Sequence, residues 1–152
     1  MVANELVDAF AAAVPFALAE MAGIDAFVRD IRPDIGGEAS GLAAAIRLTS
    51  PSGDGRFVLC LSPAAAAALA TRVLAGAVDD PPNAMVRDCL GEVANVAAGQ
   101  AKTMLVGTPS HFDLSPPSVT DEIPGAGNPR SVIEFDSEIG IFAAHVWPAI
   151  EC

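Results

Sequence analysis

Basic residues are scarce in this sequence: 8 lysines and arginines stand against 19 aspartates and glutamates, for a formal net charge of −11. A surface that acidic repels phosphate backbones and anionic lipid head groups, which argues against nucleic-acid and membrane-surface partners. It also removes long-range attraction to any other acidic protein. Cysteine is scarce as well, with Cys60, Cys89 and Cys152 far apart and odd in number. There is no C-x-x-C pair, and neither His111 nor His145 lies near a cysteine in sequence. A disulfide framework and a metal site are both poor readings; a reducing cytoplasm fits best. Long apolar runs are missing. The longest, Ala9 to Ala19, is about half of the ~20 residues that span a bilayer, and it contains Pro15. Glu5 and Asp8 stand where an export signal needs basic residues.

Alanine is what the chain has in abundance. Hydrophobic residues reach 52% while aromatics reach only 5%, so much of the apolar content packs helices closely and buries little area per residue. The length, 152 residues, suits one domain with a real core. Residues 1–152 are therefore read as a single domain. The high hydropathy implies either a tightly packed core or a buried oligomer interface.

Asn4 is the expected N-cap of a first helix running to about Ala22, with Leu6, Phe10, Val14, Leu18 and Met21 at helical spacing. Pro15 should kink or interrupt it, and Gly23 should end it. Ala26 to Ile31 reads as a short strand stopped by Pro33 and Gly36–Gly37. Leu42 to Leu48 alternates, with Leu42, Ala44, Ile46 and Leu48 on the more apolar face. A dense turn signal from Ser50 to Gly55 joins it to Phe57–Leu61, a continuous apolar run expected of a central strand. Ser62 caps an alanine-rich helix that has Pro63 at its first position and ends at Gly76. After a linker, Asp79 to Pro82, Asn83 is read as the cap of a long helix ending near Val106–Gly107. Thr108 to Pro117 should be irregular, and Val119 to Ile123 a strand. Pro124 to Pro129 is read as a loop. Val132–Phe135 and Ile139–Trp147 read as strands joined by a turn at Asp136–Glu138. The expected architecture is α+β: a mainly antiparallel sheet with helices packed on it, built from a coarse helix-and-strands repeat.

The helix from Asp88 to Leu105 stands apart. On a helical wheel Val86, Leu90, Val93, Ala94, Ala97, Ala101 and Met104 share one face, and Asp88, Glu92, Asn95, Gly99, Lys102 and Thr103 share the other. Glu92 and Asn95 are i and i+3, side by side on the surface. An ordinary solvated face is the common reading for such residues. Two features weigh against it. Asparagine is a poor mid-helix residue because its amide competes for backbone groups. Gly91 and Gly99 flank the pair, and each mid-helix glycine costs roughly 0.5–1 kcal/mol relative to alanine. A carboxylate can hold a lysine or a water, and a carboxamide can donate and accept at once, so it can orient a water. Neither is a strong base or nucleophile. The pair suits alignment at a bond that is already labile, as in phosphoryl transfer.

The run D-x-x-x-E-x-x-N at Asp88, Glu92 and Asn95, followed by V-A-A-G-Q-A-K from Val96 to Lys102, resembles the signature of the CheX/CheC family of chemotaxis phosphatases. The order of the first helix, the hairpin ending L-C-L-S, the alanine-rich helix ending R-V-L-A-G and the L-S-P-P at Leu114–Pro117 are similar to that family too. The resemblance implies a CheC-like fold. It also implies removal of phosphate from the aspartyl phosphate of a CheY-like response-regulator receiver. Asn95 would orient the attacking water and Glu92 would contact the receiver's active-site lysine, with Mg2+ supplied by the receiver and no cofactor of the chain's own. Asp88, Gly91, Gly99 and Lys102 are the expected partner-contact positions. The first helix offers only Glu5-x-x-Asp8, which implies one site per chain and, by likeness to CheX-type members, a homodimer. A non-catalytic module of the same fold, binding a receiver or a flagellar-switch component, is the alternative. A metabolic enzyme has no support, because no Gly-rich phosphate loop, metal cluster or Ser/His/Asp set has recognisable spacing.

Overall fold

The computed structural model describes residues 2–34, 40–122 and 129–148. Its elements, in chain order, are α1 (Ala3–Ala22), β1 (Ala26–Asp34), β2 (Ser40–Ser50), β3 (Gly53–Leu61), α2 (Pro63–Val73) and α3 (Asn83–Met104). Four strands follow: β4 (Asp113–Leu114), β5 (Ser118–Glu122), β6 (Arg130–Ser137) and β7 (Phe142–Trp147). The fold is α+β, as expected. Every strand pairing is antiparallel, in the order β1-β6-β7-β3-β2-β4, and β5 pairs with β2 beside β4. Strands from both halves of the chain thus share one sheet, joined where β3 meets β7 and where β1 meets β6.

The alternation in β2 decides which sheet face is covered. Leu42, Ala44, Ile46 and Leu48 are buried in the main core together with Phe57, Leu59 and Leu61 of β3. The three helices supply the other side of that core, with Phe10 of α1 stacked on Phe57 at 4.3 Å between ring centroids. The opposite face carries a small cluster of Ala43, Val58 and Trp147. Beside it, buried Arg130 donates from Nε to Nδ1 of buried His145 at 2.9 Å. Burial, then the Arg130 charge, pushes the His145 imidazole down to about 4, so it serves as a neutral acceptor.

Several expectations are corrected. α1 begins after Val2 with no side-chain cap, so Asn4 is not its N-cap. Pro15 does not interrupt α1. The carbonyl that loses its partner there is that of Ala11, at a half-buried position of the helix. β1 runs past Pro33 to Asp34. Among the described residues it is a sheet edge paired with β6 alone, and an edge strand tolerates a missing N–H donor. β7 starts at Phe142, because Glu138 and Ile139 form the turn and Gly140 takes a φ of 108°. Asp113–Leu114 pairs with β2 inside the stretch expected to be irregular. Other expectations hold. Gly23 closes α1 in the left-handed conformation, φ 63°, and Ser62 accepts from the Ala65 N–H at the head of α2. Gly36–Gly37, Ile123 and the loop from Pro124 to Asn128 lie outside the described residues.

Candidate functional site

α3 presents the polar stripe. Its inner face is almost wholly small or branched: Val86, Leu90, Val93, Ala94, Ala97 and Ala101 are all buried, with Cys89 and Ala98 beside them. Alanines at these positions let α1 and α2 approach closely, which locks α3 onto the layer beneath it. Burial raises the Cys89 thiol above its ordinary range, and the neighbouring Asp88 and Glu92 charges add to this, so it is not a reactive thiolate.

On the outer face Asp88, Glu92 and Asn95 are all exposed. Glu92 and Asn95 sit one turn apart, about 4.5 Å along the axis at 1.5 Å per residue. None of the three makes a side-chain hydrogen bond or ion pair among the described residues, so the amide and the carboxylates are available to an incoming group. A Cβ built on Gly99 would meet nothing within 4 Å, so the helix surface beyond Asn95 is open and low.

The remaining positions are placed differently from expectation. Gly91 is buried, and a Cβ there would touch Pro117 and Val119 at 3.6 Å. It is covered by the chain's own Pro117 and Val119, at a distance where an alanine methyl would make ordinary contact. Lys102 is bound to Asp113, Nζ to Oδ1 at 3.0 Å, and its hydrogen bond holds that exposed carboxyl below the usual range. Met104, expected on the core face, is 45% exposed, because it is the last residue of α3 and the covering layer does not reach it. Pro82 precedes the helix with no side-chain cap, and its carbonyl accepts from Met85 and Val86, so Asn83 is not the N-cap.

Sequence reasoning missed the residues that hold α3 from the side. Arg87 donates to Asp121 at 2.6 Å and to the Val119 carbonyl at 3.3 Å. With Lys102 and Asp113, this ties both ends of the helix to the segment containing β4 and β5. The alternation of Pro117, Val119 and Asp121 with Ser118 and Thr120 was the available signal. Among the described residues no group of three or more His, Cys, Asp or Glu side chains could hold a metal ion. No described helix is long and apolar enough to cross a membrane.

A layer of three helices on a seven-stranded antiparallel sheet is the CheC-like class of fold. Solved structures agree. A protein of Desulfovibrio vulgaris Hildenborough is 26% identical, with 93% of this chain and 95% of that one covered and a TM-score of 0.81. The chemotaxis protein CheX from Desulfovibrio desulfuricans is 23% identical, with 93% and 97% covered and a TM-score of 0.81. The CheX–CheY–BeF3–Mg2+ complex from Borrelia burgdorferi aligns at 20% identity, 93% and 96% coverage and a TM-score of 0.75. The family described as chemotaxis phosphatase CheX matches residues 42–135. The chain belongs to that CheX family. No curated protein matches the sequence.

Proposed function

We propose that this chain, as one cytoplasmic domain, hydrolyses the aspartyl phosphate of a CheY-like receiver. The observation that carries the reading is the exposed, unpartnered Glu92/Asn95 pair on α3 of a CheX-family chain. Asn95 accepts a hydrogen bond from a water and directs its lone pair at phosphorus. The bond between phosphorus and the aspartyl carboxyl oxygen breaks, the carboxylate leaves, and the water's oxygen and both its protons end up in inorganic phosphate. An acyl phosphate has a good leaving group, so alignment supplies most of the acceleration that is needed. Glu92 holds the receiver's active-site lysine, which fixes the register of α3 on the partner. The Mg2+ belongs to the receiver; in the B. burgdorferi neighbour it accompanies a CheX–CheY pair. Asp88 and Gly99 extend the contact along the same stripe.

The test is phosphate release from a phosphorylated receiver in Mg2+. Acceleration above the receiver's own rate, lost in Asn95→Ala, is expected. Binding without acceleration would establish the non-catalytic module instead. The same reading includes a homodimer formed through β1. That edge exposes Phe27 at 67% and Ile31 at 45%, and its outer row of backbone groups has no neighbouring strand among the described residues. Sedimentation should give twice the chain mass, and Ile31→Lys should give the monomer.

A further inference from the structure

Seven of the eight basic side chains have a carboxylate within 3.7 Å. The eighth, Arg56, has none among the described residues, in a chain with 19 acids. It stands on β3 directly opposite Arg47 of β2. Directly opposed residues have Cβ atoms ~4.5–5.5 Å apart, and like charges placed so are destabilising. Asp54 comes no nearer to Arg47 than 3.7 Å, beyond hydrogen-bond length. The two opposed guanidinium groups thus share one carboxylate and keep a net positive charge that a bound anion would neutralise.

The surroundings fit such a group. Arg47 and Arg56 border a groove of about 310 Å³ on the sheet face away from the helices, with Ala45, Ser115, Ser118 and Thr120 along it. Ala45 keeps the floor low. Ser118, exposed on β5, has a hydroxyl with no partner among the described residues. The Arg56 guanidinium carbon lies 5.9 Å from the centre of the Trp147 ring, which holds it in place. Burial, then the Arg47 charge, lowers the Arg56 guanidinium from its ordinary value, as an unneutralised cation requires. The volume is at the small end of small-molecule sites. Planar guanidinium groups pair bidentately with carboxylate and phosphate oxygens.

We propose that this groove binds a small, doubly charged oxyanion, a phosphate or a dicarboxylate, between Arg47 and Arg56, with the Ser118 hydroxyl as a further donor. The site is separate from the α3 stripe and does not depend on the phosphatase reading.

The test is titration of backbone amide NMR shifts with sodium phosphate, sodium succinate and sodium chloride at one ionic strength. Phosphate or succinate should give saturable shifts centred on Arg47, Arg56, Ser118 and Thr120, and chloride should not. A response to phosphate alone assigns a phosphate-bearing ligand, and a response to both assigns general oxyanion recognition. Arg56→Gln should lower the apparent affinity about tenfold or more, the worth of a hydrogen bond to a charged group. Equal shifts with chloride, shifts centred elsewhere, or an unchanged titration in Arg56→Gln would overturn the proposal. Ser118→Asp supplies an internal carboxylate. It should raise the thermal midpoint and abolish the phosphate response; an unchanged midpoint with the response retained would also overturn it.

Discussion

α1 and α3 are the two long helices of the layer, and each carries an acid with a polar residue three positions on: Glu5 with Asp8, and Glu92 with Asn95. They are used in opposite ways. Glu5 is half-buried, with Oε2 enclosed and without a hydrogen-bond partner among the described residues, while Asp8 is exposed. Glu92 and Asn95 are both exposed and unengaged. The spacing that places two side chains together is the same in both helices. What differs is how each helix is rolled against its neighbours. The roll of α1 turns Glu5 inward, and the roll of α3 keeps Glu92 and Asn95 outward. A pair at i and i+3 becomes a tool only when packing leaves the whole stripe free.

The largest effect expected from that difference is at Asn95. Asn95→Ala should slow receiver dephosphorylation about a hundredfold, the scale of losing alignment of a reacting water, while the thermal midpoint stays near wild type. Adding Asp8→Asn to that variant, which recreates the E-x-x-N spacing on α1, should restore nothing. Recovery of phosphate release would break the comparison. A smaller effect belongs to Glu92. Glu92→Gln should weaken receiver binding by about tenfold, an ion-pair loss in a partly desolvated contact, seen in the concentration dependence of the rate more than in its maximum. The smallest effects separate the two glycines of α3. Gly91→Ala and Gly99→Ala should each stabilise the fold by about 0.5–1 kcal/mol in chemical denaturation. Only Gly99→Ala should reduce receiver affinity, because Gly91 lies under Pro117 and Val119. Equal affinity losses would mean that the β5 segment moves aside for the partner.

The elements read well from sequence wherever a local pattern repeats. The 3.6-residue stripe of α3, the alternation in β2 and the Ser62–Pro63 start of α2 are all local, and the structure reproduces them. Misreadings came where the deciding neighbour is distant. Pro33 looks like a strand end until β1 is known to be an edge. Gly91 looks like an open position until Pro117 folds over it. Met104 follows the wheel faithfully but lies where the covering layer stops. The exposure of Glu92 and Asn95 followed from the wheel. The two tethers of α3 did not, because Asp113 and Asp121 meet Lys102 and Arg87 only once β4 and β5 have joined β2.

Those tethers set an angular tolerance. Arg87 and Lys102 are separated by about four turns of helix, and each holds a carboxylate on the same flank. Side-chain tips lie about 5–6 Å from a helix axis, so a roll of about 10° would sweep Asn95 through about 1 Å, enough for a hundredfold loss in an aligned reaction. Surface ion pairs like these add little to stability, about 0–1 kcal/mol each. Their contribution is to the phase of the helix, as two pins fix a shaft against rotation. Salt should therefore blunt the accuracy of α3 well before it loosens the fold.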